Sequence, residues 1–348
     1  MIKRKKTKQI FVGSVPIGGN APIAVQSMCN TPTWDVKKTV SQIKELEAAG
    51  CEIIRVAVPD KKSADALKEI KQNISIPLIA DIHFDYRLAL ASIENGVDAL
   101  RINPGNIGKE DFIRQVVEAA RKKHIPIRIG VNSGSLEKEF SHLEKVDAMV
   151  ASAMKNVAIL EKYDFDMIKI SLKASDVLTT IEAYEKISEK TDYPLHVGIT
   201  EAGTLKSGLI KSSIGIGAIL LKGIGDTIRV SLTAQPKEEV FAAYELLKSL
   251  KLRNRGVNLI SCPTCGRTKI NLIELAHKVE EIVAPINKPL TIAVMGCPVN
   301  GPGEAKGADI GIAGGIGEGY IFKKGEIIKK VPEQQLLDEF KKELNSMI

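Results

Sequence analysis

The sequence predicts an α/β protein: an N-terminal (β/α)8 barrel of the TIM type followed by a small α/β domain. Three observations carry that prediction. Up to residue 250, short β-branched runs alternate with amphipathic stretches, and there are eight such runs. About 250 residues with eight βα units is the size and rhythm of this barrel. A polar stretch, Lys251-Leu-Arg-Asn-Arg255-Gly, then reads as a flexible hinge, and beyond it the order of elements changes and three cysteines arrive. The expected division is therefore 1–250 and 251–348. A doubly wound open sheet is the alternative fold, but the Gly-x-Gly-x-x-Gly turn after a first strand is missing.

In chain order, Gln9–Gly19 alternates with glycines and reads as a small hairpin that plugs one end of the barrel. The strands read as Pro22–Ser27, Ile53–Val58, Pro77–Ile82, Ala99–Asn103, Pro126–Val131, Met167–Leu172, Leu195–Thr200 and Thr227–Leu232. Between them, apolar residues recur at helical steps, as in Val36, Val40, Ile43 and Leu46 before Gly50, or Val177, Ile181, Tyr184 and Ile187. The connection after the fifth strand is long, Asn132–Lys145, and long loops tend to be functional. The second domain reads as a cysteine turn, a helix (Asn271–Val283), a strand (Leu290–Met295), glycine-rich turns over Gly311–Gly319, a hairpin near Tyr320–Val331 and a helix from Pro332.

Composition limits the function classes. The chain has 348 residues, 44% of them apolar, which suits a large core rather than disorder. No apolar run reaches the ~18 residues of a membrane span, and no signal-peptide core follows the basic start, so no membrane association is expected. The net charge of +7 admits anionic partners, but with aromatics at 4% nucleic acid is not expected. The run Lys3-Arg-Lys-Lys6 reads as a solvated tail. Five cysteines without a leader point to a reducing, cytoplasmic setting and to metal ligation rather than disulfides, with Cys29 and Cys51 as buried structural thiols.

In a strand, residues i and i+2 share a face. Arg55, Asp81 with His83, Arg101 with Asn103, Arg128 with Asn132, Lys173, Glu201, and Arg229 with Ser231 each fall opposite an apolar face. The outer face of a barrel strand packs on helices, so these polar sets are expected to point inward, toward the active-site mouth. Buried ion pairs are the bland alternative. Seven strands doing this together favour a polar ligand, because unpaired buried charge is expensive. The cationic excess suits a phosphate or diphosphate. His83 and Glu201 are the candidates for proton transfer.

Cys262-Pro-Thr-Cys265 is a C-x2-C turn, and Cys297 follows in a second Gly/Pro-rich turn. Zinc is one reading, but structural zinc wants four Cys or His ligands, and the only histidine of this region, His277, lies inside a helix signal. Three thiolates and one weak or open position fit a [4Fe–4S] cluster, with Glu304 the nearest candidate for the fourth iron.

The whole chain resembles the (E)-4-hydroxy-3-methylbut-2-enyl diphosphate synthase family of the methylerythritol phosphate route to isoprenoids. The resemblance rests on Cys-Pro-Thr-Cys-Gly-Arg (262–267), Gly-Cys-Pro-Val-Asn-Gly-Pro-Gly-Glu-Ala (296–305), Ala-Asp-Ile-His-Phe (80–84), Arg-Ile-Asn-Pro-Gly-Asn (101–106) and Gly-Ile-Thr-Glu-Ala-Gly (198–203). It implies a two-domain, bacterial-type oxidoreductase with a [4Fe–4S] cluster on Cys262, Cys265, Cys297 and Glu304. The implied reaction is the two-electron ring opening and dehydroxylation of 2-C-methyl-D-erythritol 2,4-cyclodiphosphate. Barrel basic residues would hold the diphosphate, and Glu201 would serve as acid or base near the reacting carbons. Flavodoxin or ferredoxin would supply electrons to a homodimer whose active site is shared between subunits. A barrel lyase or transferase with a structural zinc domain is the competing expectation.

Overall fold

The computed structural model describes residues 2–297 and 305–348. It divides into two compact units, Met1–Arg253 and Asn254–Ile348.

The first unit opens with a hairpin, β1 (Ile10–Val12) antiparallel to β2 (Val15–Ile17). Eight parallel strands follow: β3 (Ala24–Met28), β4 (Ile53–Ala57), β5 (Leu78–Asp81), β6 (Ala99–Ile102), β7 (Ile127–Asn132), β8 (Ile168–Lys173), β9 (His196–Val197) and β10 (Thr227–Ile228). Their spatial order is β8-β7-β6-β5-β4-β3-β10-β9, and an Ile170–Leu195 bridge closes the ring. This is the expected barrel. Its helices are α1 (Val36–Ala48), α2 (Lys61–Gln72), α3 (Tyr86–Glu94), the one-turn α4 (Pro104–Ile107), α5 (Glu110–Lys122), α6 (Lys145–Glu161), α7 (Val177–Lys190), α8 (Leu205–Leu221) and α9 (Pro236–Ser249). Aspartates start several of them. Asp35, Asp60, Asp85 and Asp176 each accept a backbone N–H in the first turn, at 3.2, 2.8, 2.9 and 2.6 Å.

The strands bury two different faces. Outward residues such as Ile54, Val56, Leu100, Ile129, Leu172 and Val230 join the helices in one large core. Inward residues change character along each strand. At the amino end Ala24, Ile53, Ile79 and Ala99 pack with Ile10, Val12 and Ile17 of the hairpin, so the hairpin fills that end of the barrel. Burying each of those hairpin side chains contributes about 1.5–3 kcal/mol. Two residues further along, the same faces carry Gln26, Arg55, Asp81 and Arg101.

Three sequence readings are corrected here. The basic N-terminal run is not a solvated tail. Lys5 N–H donates to Gly223 O at 2.8 Å, Arg4 Nη1 donates to Ala21 O at 2.5 Å, and Arg4 pairs with the buried Asp226 at 3.2 Å. The presumed hinge begins with residues fixed to the barrel, because Leu252 packs on the main core and Arg253 donates to Ile23 O at 2.7 Å and pairs with Glu52 at 2.9 Å. The seventh and eighth strands are also shorter than their apolar runs, ending at Val197 and Ile228. Cys29 and Cys51 are buried, and burial above all pushes both thiols up to about 12.

The second unit is a five-stranded sheet in the order β11 (Val257–Ser261), β12 (Leu290–Met295), β13 (Ile310–Gly314), β14 (Glu318–Lys323), β15 (Glu326–Pro332). The first three are parallel and the last three antiparallel. Helices α10 (Leu272–Val283) and α11 (Leu336–Asn345) supply Leu272, Val279, Val283, Leu336, Phe340 and Leu344 to its core. Gly311–Gly314 is strand rather than turn. A Cβ at Gly311 would come within 2.3 Å of the Phe322 ring, so the glycine makes room for an aromatic on the neighbouring strand.

Candidate active site

Inside the barrel, above the apolar plug, six cations gather: Arg55, Arg101, Arg128, Lys169, Lys173 and Arg229. Two carboxylates lie within ion-pair distance of them. Asp81 pairs with Arg55 at 3.5 Å and Arg101 at 3.2 Å, and Glu239 pairs with Arg229 at 3.2 Å. Among the described residues Arg128, Lys169 and Lys173 have no carboxylate within 4.0 Å. Arg128 Nη1 lies 3.5 Å from Gln26 Oε1 across the barrel, while Arg128 Nε, Gln26 Nε2, Arg101 Nε, Lys169 Nζ and His196 Nε2 are buried without a hydrogen-bond partner. Uncompensated buried charge is costly, so the interior is built for an anion that supplies the missing acceptors.

Titration follows the same imbalance. Burial, then repulsion from Arg128, pushes Lys169 down to about 7. Burial and then Arg128 and Arg229 hold Lys173 well below an ordinary lysine. Burial brings Arg55 to about 10 although Asp81 opposes it. Burial works to raise Asp81, but Arg55, Arg101, Arg128 and His83 together keep its carboxyl below the usual value. His196 is driven far down by burial and then Arg128, so its imidazole is neutral, with Nδ1 2.8 Å from Thr227 Oγ1.

Two glycines shape this interior. A Cβ on Gly130 would lie 2.4 Å from Arg101 Nε, and one on Gly198 would lie 2.8 Å from Lys173 Nζ. Both cations occupy space that other residues would fill.

The remaining sequence-predicted groups lie at the carboxyl ends of the strands. Asn103 is buried and caps α4, its Oδ1 accepting from Gly105 N at 3.2 Å. Asn132 ends β7, half-buried, and Ser231 follows β10, half-buried. His83 is exposed, 4.0 Å from Asp81. Glu201 does not continue an inward strand face: β9 has already ended, and the residue is exposed in the following loop at φ +53°. A non-glycine residue held there carries backbone strain, a recurrent mark of functional loops. The sequence reading does not single out Gln26, His196 or Glu239, and Lys169 lies on the same face of β8 as Lys173. His196 shares strand parity with Gly198, which is the signal that could have found it.

In the second unit, Cys262 follows β11 and Cys297 follows β12, the neighbouring parallel strand. Cys262 N donates to Val294 O at 3.2 Å, and Gly296 N donates to the Cys262 sulfur at 3.1 Å. Lys269 N donates to Gly296 O at 3.0 Å, tying the two cysteine turns together. Cys265 is exposed, and its thiol is held below the ordinary value by the backbone N–H and then the side chain of Arg267. Glu304 lies outside the described residues. Among the described residues no three His, Cys, Asp or Glu side chains converge as a metal site. The donor chemistry nonetheless fits an iron–sulfur group: soft sulfurs on two tied turns, one already receiving a backbone N–H. His277, the histidine a zinc site would need, is exposed in α10 beside Glu280 at 3.7 Å.

Fold and site together define a TIM-barrel protein with an anion-binding interior and a separate cysteine-bearing unit. The chain belongs to the GcpE family: residues 7–244 match the GcpE TIM-barrel domain and residues 258–346 match the GcpE protein C-terminal domain. It is 63% identical to the 4-hydroxy-3-methylbut-2-en-1-yl diphosphate synthase (flavodoxin) of Caldanaerobacter subterraneus subsp. tengcongensis, covering 100% of this chain and 99% of that protein. It is 57% identical to the protein of the same name from Geobacter sulfurreducens, covering 99% of each. The barrel also resembles a solved dihydropteroate synthase of Stenotrophomonas maltophilia, with a TM-score of 0.53 at 14% identity over 70% of this chain and 97% of that one, a likeness of fold alone. No helix among the described residues is long and apolar enough to cross a membrane.

Proposed function

We propose that this protein is a 4-hydroxy-3-methylbut-2-enyl diphosphate synthase that reduces 2-C-methyl-D-erythritol 2,4-cyclodiphosphate. Two electrons and two protons enter, the cyclic diphosphate opens and one water leaves. Family membership and the relatives' names support the activity. The observation that carries the substrate class is the barrel interior, where six cations face two carboxylates.

In this reading Arg55, Arg101, Arg128, Lys173 and Arg229 neutralise the diphosphate, and Asn103, Asn132 and Ser231 add neutral hydrogen bonds. Asp81 orients Arg55 and Arg101. Holding the reacting carbons in place is then a matter of positioning and electrostatics. Glu201 and His83 hold or pass protons, which their exposure beyond the strand ends supports. Cys262, Cys265 and Cys297, with Glu304 as the fourth ligand, would hold a [4Fe–4S] cluster. Such a cluster supplies electrons and a Lewis-acidic iron. The donor is flavodoxin, the carrier in the relatives' names, with ferredoxin the alternative. The active form is a cytoplasmic homodimer with the active site shared between subunits. The apolar surface of α8 supports a second copy: Ile210, Ile214 and Leu221 are exposed, and Leu205 shares a groove with Phe241 of α9.

The test is turnover of the cyclodiphosphate by anaerobically purified protein with reduced flavodoxin. Formation of the hydroxymethylbutenyl diphosphate is expected. Iron- and sulfide-replete protein that leaves the substrate intact would remove the proposal. Stoichiometric zinc without sulfide would favour a barrel lyase or transferase instead.

A further inference from the structure

Glu239 belongs to the outer layer, in the first turns of α9, yet it is only 4% exposed and reaches the strands beneath. Its Oε1 accepts from Arg229 Nη2 at 3.3 Å and from Leu232 N at 3.0 Å. Its Oε2 accepts from Arg229 Nε at 3.2 Å and from the Ser27 hydroxyl at 3.5 Å. Two parallel bonds from Nε and Nη2 fix both the place and the plane of a guanidinium. They leave Nη1, which among the described residues has only Met28 Sδ, at 3.7 Å. The same sulfur accepts from Arg55 Nε at 3.2 Å and Nη2 at 2.9 Å. A thioether is a weak acceptor, so a phosphate oxygen displaces it readily.

We propose that Glu239 is a positioning residue for anion binding: from the helix layer it locks Arg229 in one orientation, leaving Nη1 and its guanidinium edge ready for a substrate phosphate. The inference rests on Arg229 being a substrate-binding group. A carboxylate beside an anion site lowers its net attraction. That loss is offset if Arg229 need not be ordered at the moment of binding, because immobilising a flexible side chain opposes association. A pair that only fastened α9 to the sheet would have no reason to spare one nitrogen on the barrel side.

The experiment is a double-mutant cycle on full-length, iron-loaded protein: wild type, Glu239→Gln, Arg229→Met and both together, with cyclodiphosphate and reduced flavodoxin. Glutamine keeps one acceptor oxygen but presents an NH2 where the second Arg229 bond needs an acceptor, so the charge and one of the two bonds are lost and the guanidinium plane is no longer fixed. E239Q is expected to raise KM about tenfold with kcat within about threefold, the signature of lost uniform binding. Arg229→Met raises KM further, and the double variant matches it within about twofold, because Glu239 acts only through Arg229. Effects that multiply in KM, or an E239Q KM equal to wild type, overturn the proposal. If E239Q melts too early to assay, Glu239→Asp keeps the charge but shortens the reach, and an unchanged KM there overturns it equally. If wild type turns over no cyclodiphosphate, the functional reading fails separately, and the same cycle is read as Kd for inorganic pyrophosphate. There, coupling between the two sites sustains the positioning role and additivity ends it.

Discussion

In the barrel unit the candidate ligand-binding groups are carried by strands, locked between an apolar plug below and packed helices outside. In the C-terminal unit the cysteines sit on turns just beyond the ends of β11 and β12, and two of them, Cys262 and Cys265, are not buried. The barrel has thus fixed its charges in place before any ligand arrives, and it carries the desolvation and repulsion this entails in depressed lysines. The cysteine turns are tied by a few backbone hydrogen bonds and bring no three metal ligands together among the described residues. A site on strands is preorganised for binding, whereas a site on turns is completed by what it binds. Damage to the first should appear in affinity, and damage to the second in cofactor content.

The largest effect should come from the turns. Cys262→Ser is expected to lose most bound iron and sulfide and to cut turnover by more than about 10³-fold, while barrel folding is unaffected. Elemental analysis and the visible spectrum check this. Full iron content in the variant would break the contrast, since the cysteine would then not be a ligand. In the barrel, Lys173→Met should keep iron and colour and lower kcat/KM by about 10²-fold, a loss near 3 kcal/mol typical of a charged hydrogen bond left unmade. Steady-state kinetics beside iron analysis would show whether affinity and cofactor separate in this way.

Much of the barrel is legible in the sequence because its outer strand faces must be apolar. Ile54, Val56, Leu100 and Ile129 mark their strands to within a residue or two, and Arg55 and Arg101 then fall inside by parity. Parity fails where the strand does. β9 stops at Val197, and Glu201, three residues after Gly198 and off the parity that His196 and Gly198 share, lies exposed in the loop beyond instead of on an inward strand face. Glu239 carries no signal, since an acidic residue early in a helix is favourable without any partner. In the C-terminal unit the glycines of β13 imitate turns, because packing against Phe322 needs the same small residue that a turn does. The N-terminal cations imitate a tail, because sequence shows charge but not the carbonyls that receive it, Ala21 O for the Arg4 guanidinium and Thr191 O for the Lys5 ammonium.

The barrel also divides within itself, and Ile17→Ala tests that division. Ile17 is fully buried in the plug, below the charged layer. Its truncation should cost about 2–4 kcal/mol of stability. KM should stay within about twofold of wild type, because no plug residue hydrogen-bonds the cations above. Denaturant unfolding and kinetics on one preparation measure both. A KM that rises with the loss of stability would mean that the two layers move together.

The smallest effect is a slope rather than a loss. Lys169 titrates near 7 when folded, against about 10.4 for an unfolded lysine, because burial and then Arg128 oppose its charge, with Asp226 acting the other way. Between those values the unfolded chain holds the proton and the folded protein does not, so stability rises with pH across this window. Below about 7 both states are protonated, and the folded state bears the full cost of the buried charge. Lys173 has the same sign, whereas Cys29 and Cys51, raised to about 12, begin to oppose it only above about 9. Ligand-free protein should therefore gain at most about 1.4 kcal/mol per pH unit from Lys169 between pH 7 and 9, and Lys169→Met should flatten the curve by that share. Saturating pyrophosphate should flatten it as well, since an anion among the cations favours protonated Lys169 in the folded state. Identical slopes in wild type and Lys169→Met would show that Lys169 is not held depressed by the barrel interior, and the contrast between preorganised strands and turns would lose this support.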